Sequence, residues 1–580
     1  MALKREISIL YPNIEGVEYH TMPEVAFHDL GLDQIVEKLT QKANERTLIT
    51  NVLRTTTDRP EVAEYRIGVF EDICNFPDMR KELLELLDKI QFLNDYGSFK
   101  KDHDIKAGLW EFLHRLSELD DYINTVDAIH ACLSDTPITS DGLKALKTYM
   151  EKVYEDSLFK ELKQDIHSLH ADTDSLRSIT IGVNLNKSFE VDSIGLVSVN
   201  NKEFKSSGIL GNFADALAAG KGIKEGNDWN GNYHFQPITN KTGELAVNFE
   251  RFGTFYGLMQ TPMGAPLAAS VARVPDNDGG KYITHYFDKE VSKLLSHLTK
   301  KLERILSKYV TFSIGTIVDL IPEFLFYVRW AEYLEKLKSR GFTFCTPKVA
   351  AGSGKAMDAK GLYNFKLAVA GELRPEEIVK NDLDFSDAHT VYLLTGANRG
   401  GKTTITQAVG LLFALAQSGI SVPAESFSFL PADCIYTHYP ADEDKTMDLG
   451  RLGEECTRFK EIFSVSTGSS LFLLNETFST TSFEEGYYIA NDAVRALLQK
   501  GVRTIYNTHM HKLAAEIDAF NEEEQTAKAA SLVALSDEGV RSFEVKIAPP
   551  QGKSFADDIA RKYGVTYEQL MVKKEHVEDV

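Results

Sequence analysis

From Leu32 to about Met150, apolar residues recur at i, i+3 and i+4. Ile35 and Leu39 open the series, Leu83, Leu84, Leu87 and Ile90 continue it, and Leu109, Phe112, Leu113 and Leu116 follow. This spacing gives each helix one apolar stripe, the pattern of a packed helical domain. Within it, Asp58 is placed to cap the helix that Pro60 begins. A long helix is expected through Leu158, Leu162, Ile166 and Leu169. The period then drops to two: Ile179, Ile181, Val183 and Leu185 alternate with polar residues, as in a half-buried strand. Gly- and Asn-rich sequence with short strands extends to about Val274. Helical spacing resumes at Val291, Leu294, Leu295, Leu298, Leu302, Ile305, Leu306 and Tyr309. A β-rich module between two long helices predicts an insertion at the tip of a helical hairpin. Before residue 30 only a strand-like piece, Ile7–Leu10, stands out.

The second half carries short apolar runs that end in chemistry. Val391-Tyr-Leu-Leu394 enters Gly396-Ala-Asn-Arg-Gly-Gly-Lys402-Thr403, and Ile405–Leu415 is an apolar segment of helical length. Strand, glycine-rich turn, Lys-Thr and helix make a phosphate cradle. The backbone of Gly396, Ala397, Asn398, Arg399, Gly400, Gly401, Lys402, Thr403 and Thr404 is the candidate binding loop. Lys402 is the candidate for the β- and γ-phosphates, and Thr403 for Mg²⁺. These residues predict an ATP site. A look-alike, Ala351-Gly-Ser-Gly-Lys355, has no strand entering it and no helix pattern leaving it, so it reads as a loop.

An ATPase of this kind needs an acidic pair at the end of a second buried strand, one carboxylate for Mg²⁺ and the other for the attacking water. Leu471-Phe-Leu-Leu474 ends in Asn475-Glu476. Glu476 is the candidate general base. Asn475 can offer Mg²⁺ an amide oxygen but no negative charge, which predicts weak metal affinity or slow turnover. A third strand, Arg503-Thr-Ile-Tyr506, leads to Asn507-Thr-His509, where His509 can sense the γ-phosphate or the attacking water. His511 nearby reads as a bystander.

Composition narrows the class. The 580 residues, 43% hydrophobic and 26% charged, fit a multidomain globular chain. Five scattered cysteines without a C-x-x-C pair fit reduced thiols better than disulfides or a zinc site. The opening Met1-Ala-Leu-Lys-Arg-Glu has no apolar run behind it, and Ile317–Val328 is broken by Asp319, Pro322 and Glu323. A soluble, cytoplasmic protein with no membrane partner is expected. The net charge of −21 disfavours a general polyanion-binding surface, but its distribution is uneven. Lys187–His285 holds nine Lys/Arg and ten Asp/Glu, a net of −1. Lys202, Lys205, Lys221, Lys224, Lys241 and Arg251 can therefore face a phosphate backbone; solvated loop lysines are an equal reading.

The motifs and their spacing resemble the MutS family of ABC-type ATPases. Thr395–Thr403 is similar to that family's T-G-P-N-M-G-G-K-S, Leu471–Gly486 to its second acidic strand and following loop, and Ile505–His509 to its F-A-T-H switch. Asn381-Asp382 resembles the family's Asn-Asp beside the nucleotide base. Asp448–Glu455 occupies the place of the segment that completes a partner subunit's site. Less specific likeness extends to the Thr57–Phe70 run, the helix–insert–helix and the stretch Phe555–Val565.

The resemblance implies an α+β multidomain fold: an N-terminal extension (1–30), a helical core and lever (31–178 and 286–345), a β-rich clamp (179–285), an ABC-type P-loop α/β ATPase domain (346–545) and a short helical tail (546–580). It implies a slow ATPase using ATP and Mg²⁺, a homodimer, and DNA as partner, in mismatch repair or recombination. Only some 30 residues precede the helical core, so the family's N-terminal mismatch reader and connector are expected to be missing. An ATP switch acting on a protein partner is the alternative, and a nucleotide-binding structural protein with negligible hydrolysis is a third.

Overall fold

The computed structural model describes residues 7–85, 109–173, 178–185, 187–188, 191–200, 271–273, 296–309, 320–351, 355–397, 400–440, 450–523, 525–537, 540–550, 561 and 563–571. The chain is a mixed α/β protein that divides into two compact units. One comprises Met1–Leu87, Cys132–Tyr149 and Thr316–Val580; the other comprises Asp88–Ala131 and Met150–Gly315.

The first unit is built around a six-stranded sheet. Its strand order is Ile435–His438, Leu471–Asn475, Arg503–Asn507, Val391–Gly396, Ala529–Asp537 and Val540–Ile547. Neighbours are parallel except the last pair, an antiparallel hairpin. Strands covered on both faces need unbroken apolar runs, and Val391–Gly396 and Leu471–Asn475 are buried at every position. The helix Lys402–Gln417 is likewise buried along most of its length. A Cβ at Gly410 would lie 2.4 Å from Leu30 Cδ2 and 2.6 Å from Leu473 Cδ1, so glycine there lets the helix approach closely. A second, four-stranded sheet joins Lys348–Val349, Ser426–Phe429, Met357–Leu362 and Asn381–Phe385 in that order.

Helices of the same unit pack through buried charge. Arg66, fully buried on the helix Pro60–Asn75, donates to Leu10 O (2.8 Å) and to Gln417 O (2.9 Å) at the end of the phosphate-loop helix. Glu323 accepts from the Ile9 and Leu10 N–H groups at 2.7 and 3.1 Å. Glu45, inaccessible to solvent, receives Arg329 Nε at 3.0 Å and Nη2 at 3.1 Å. Burial pushes its carboxyl up, but the bonds from Arg329, Thr40 and Lys42 outweigh burial and hold it below the usual range.

Three local expectations change. Ile9 and Leu10 are buried, but in bends; the first strand is His20–Thr21, paired with Thr55–Thr56. Two bonds to a buried carboxylate satisfy that backbone instead of a ladder. Pro60 at the first helical position makes Arg59 the cap, so Asp58 stands one residue too early. In the helix Ser157–Thr173 the buried face runs through Phe159, Leu162, Ile166 and Leu169, while Leu158 is exposed. Phe159 buries the larger surface and sets the phase.

The second unit contains most of the helix Leu109–Asp135, the helices Ser157–Thr173 and Ser296–Leu306, and a three-stranded antiparallel sheet. That sheet orders Ser178–Leu185, Val191–Asn200 and Val271–Arg273, and its first pairing shifts register at Val197 and Asp192, the extra residues of the second strand. The expected alternating strand is therefore present. Lys163 pairs with Asp127 at 2.6 Å, and His130 stacks on Tyr154 with centroids 4.2 Å apart. Lys202, Lys205, Lys221, Lys224, Lys241 and Arg251 lie outside the described residues.

Candidate active site

The site gathers at the carboxyl ends of the parallel strands, where an open α/β sheet leaves a crevice. Gly396 closes its strand with φ +136°, and a Cβ there would sit 2.7 Å from Ala534 O. Gly401, at φ +89°, caps the helix Lys402–Gln417. Only glycine meets both demands without strain, and the turn exposes backbone N–H groups at a helix N-terminus. Asn398 and Arg399 lie outside the described residues.

Lys402 is buried, with Nζ donating to Gly396 O at 3.0 Å and Ala397 O at 3.1 Å. Burial lowers its pKa, and the Glu476 carboxylate counteracts this. Thr403 Oγ1 donates to Asn475 Oδ1 at 3.0 Å. Asn507, which pairs with Asn475 across adjacent strands, donates from Nδ2 to the same Oδ1 and reaches Thr403 Oγ1 at 3.4 Å.

Glu476 follows directly, in the left-handed region at φ +53°. Its N–H donates to Asn507 O at 2.8 Å. Its Oε1 is 2.7 Å from His509 Nε2. A carboxylate only accepts, so Nε2 carries the proton. This bond, with the positive fields of His509 and Lys402, overcomes partial burial and keeps the Glu476 carboxyl below its ordinary range. The next residue is anchored too: Thr477 Oγ1 lies 3.0 Å from His438 Nδ1, and Tyr506 Oη donates to Thr477 O at 2.7 Å. Burial pushes His438 down to about 4, so it is neutral, and its Nε2–H donates to Glu455 O at 3.1 Å. The loop after Glu476 is thereby tied to the helix Gly450–Val465.

A cavity of about 560 Å³ joins these groups. Lys402, Thr403, Thr404, Gly401, Glu476 and Asn507 line one end. Leu373, Ile378, Val379 and Phe543 add apolar lining, and Asn381, Asn364 and Glu377 add polar groups. Asn381 accepts from Val545 N–H at 2.7 Å and donates to Phe543 O at 3.3 Å, pinning the strand Val540–Ile547 beside the loop. Phe543 has φ +58° and is 46% exposed, with Cδ1 3.5 Å from where a Gly401 Cβ would stand. All the described sequence candidates for the loop, base and histidine thus converge. Phe543 and Asn507 are additions. Phe543 gives no local signal, since a hairpin far downstream delivers it. Asn507 stood in the third strand's motif without an assigned role.

The residues fit a nucleoside triphosphate and a hard cation. Gly396 and Gly401 leave a cradle that a Cβ would fill, and Thr403 and Asn475 supply neutral oxygens. Among the described residues no cluster of three His, Cys, Asp or Glu forms a metal cage. Mg²⁺ held by one or two protein groups plus phosphates and water needs none.

Sequence comparison meets this geometry at the same segment. The family described as MutS domain V matches residues 392–577. Over those residues the chain is similar to the MutS family. "Endonuclease MutS2" of Caldanaerobacter subterraneus is 25% identical over 346 residues, covering 59% of this chain and 41% of the relative. The protein of the same name from Thermus thermophilus is 28% identical over 194 residues, 33% of this chain and 25% of its own length. "DNA mismatch repair protein MutS" of Chlorobium chlorochromatii is 34% identical over 140 residues, 24% and 16% respectively. The chain thus spans less than half the length of these curated relatives. Among the described residues no helix is long and apolar enough to cross a membrane.

Proposed function

We propose that this MutS-type chain is an ATPase that couples binding and hydrolysis of Mg²⁺-ATP to its grip on DNA, as a homodimer. The observation carrying this reading is that Lys402, Thr403 and Glu476 line one cavity, with Asn475 hydrogen-bonded to Thr403 and His509 to Glu476 behind them. Lys402 exchanges its two loop carbonyls for phosphate oxygens. Thr403 presents its hydroxyl oxygen toward Mg²⁺, with Asn475 behind it, and the ion, when bound, would neutralise charge developing on the phosphates. Glu476 takes a proton from water attacking the terminal phosphorus, and His509 holds that carboxylate in place. Phe543, Ile378 and Val379 pack against the base, and Asn381 fixes the hairpin that brings Phe543 there.

The output reading rests on the family match over residues 392–577 and on the three-stranded β-sheet of the second unit. Phosphate contacts would make DNA binding salt-sensitive and weakly sequence-selective. The test measures phosphate release by the full chain with Mg²⁺-ATP, alone and with duplex, mismatched or branched DNA, alongside gel shifts with ADP and ATP. Nucleotide-dependent retention of at least one DNA is expected. Phosphate release without retention of any DNA would transfer the output to a protein partner; no release at all would end the ATPase reading.

A further inference from the structure

The acidic pair expected at the second strand is half amide here, and its neighbour on the next strand is an amide as well. Asn475 and Asn507 face each other in register at the ends of adjacent parallel strands, and both are buried. Their contacts with Thr403 form a closed triangle whose hydrogen bonds can be counted. Thr403 Oγ1 gives its one hydrogen to Asn475 Oδ1. Asn507 Nδ2 gives hydrogens to Asn475 Oδ1 and to Thr403 Oγ1. Both lone pairs of Asn475 Oδ1 are therefore engaged, and one of the two on Thr403 Oγ1 is taken. One Thr403 lone pair remains. Asn507 Oδ1 is buried and has no hydrogen-bond partner among the described residues.

A carboxylate has two equivalent oxygens, but a carboxamide does not. Rotating Asn475 by half a turn would aim an NH₂ group at Thr403 and at any cation beside it. Asn507 in its observed orientation opposes this, because the N–H groups it turns toward Asn475 and Thr403 can meet only an oxygen. We infer that Asn507 is a positioning residue for the metal: it locks the Asn475 amide, and through it the Thr403 hydroxyl, so that one Thr403 lone pair faces Mg²⁺. Asn475 then acts in the shell behind the ligand, and the site binds its cation without a negative side chain next to Thr403. Groups that orient a ligand in this way matter to affinity nearly as much as the ligand.

This inference rests on the nucleotide-site reading above, and the test separates the two. The full chain is titrated with a fluorescent ATP analogue in EDTA and in saturating Mg²⁺; the ratio of the two dissociation constants is the metal coupling. N507A is expected to reduce the coupling about tenfold or more and to leave the EDTA affinity within about twofold. In the N475D background, N507A should change the coupling less than about threefold, since a carboxylate has no wrong face. N507S supplies the same comparison should N507A not fold. An equal loss of coupling in both backgrounds, a parallel loss of EDTA affinity in folded protein, or no coupling in the unmodified chain overturns the inference. Failure of the unmodified chain to bind the analogue in either condition overturns the nucleotide site itself.

Discussion

Replacing Glu476 by glutamine isolates the proton-accepting step from everything else the residue does. The side chain keeps its volume, and its amide oxygen can still accept from His509 Nε2, now 2.7 Å from the carboxylate. Both side chains are more than a third exposed (40% for His509 and 36% for Glu476), so weakening this bond costs under about 1 kcal/mol of stability. The left-handed backbone at residue 476 is set by the Asn507 bond and is unaffected. Removing a positioned general base, in contrast, raises the barrier by about 3–5 kcal/mol, a rate loss of roughly 10²–10⁴. Phosphate release at saturating Mg²⁺-ATP should therefore fall at least about a hundredfold while nucleotide affinity stays within about threefold. A rate loss under about threefold would remove Glu476 as the base, and affinity falling in step with rate would mean that the substitution damages the cradle. The pH dependence follows with its sign. His509 keeps Glu476 ionised below the usual carboxylate range, so the rate should hold through that range and fall only at lower pH. In H509A the acid fall should move upward.

Three further outcomes can be checked. G396A forces a Cβ to 2.7 Å from the backbone oxygen of Ala534 at a φ that favours glycine, so nucleotide binding should fall at least about tenfold and the unit should lose about 1–3 kcal/mol, by titration and denaturant melt. F543A removes an aromatic face beside Gly401 and should weaken nucleotide binding about fivefold or more without a matching loss of kcat, on stacking worth about 1–3 kcal/mol. R329M removes two of the hydrogen bonds on the inaccessible Glu45 carboxylate, leaving those from Thr40 and Lys42, and should destabilise by about 1–3 kcal/mol. Because the folded pKa of Glu45 is depressed, the pair stabilises above the unfolded carboxyl pKa and is lost as pH falls through the folded value; R329M should flatten that acid limb of the stability profile.

The sequence by itself determined the elements whose signal is local. The wholly apolar runs at Val391 and Leu471, the glycine-rich turn and the Lys-Thr that starts the helix need no distant partner to be read, and the structure has them as strand, turn and helix. That Glu476 and His509 come together was legible because each follows the end of a strand, and parallel strands put their ends on one side. Tertiary structure decided what pairing brings across the sheet. Asn507 meets Asn475 only because the third strand inserts between the other two. Phe543 reaches Gly401 only because the terminal hairpin folds back against the phosphate-loop strand. Buried ionic contacts decided the remainder: Glu323 holds the Ile9–Leu10 backbone out of a strand, and Arg66 bonds the carbonyls of Leu10 and Gln417. Periodicity reports which face of an element is covered; it carries no record of which element covers it, and that partner sets the hydrogen bonds of the site.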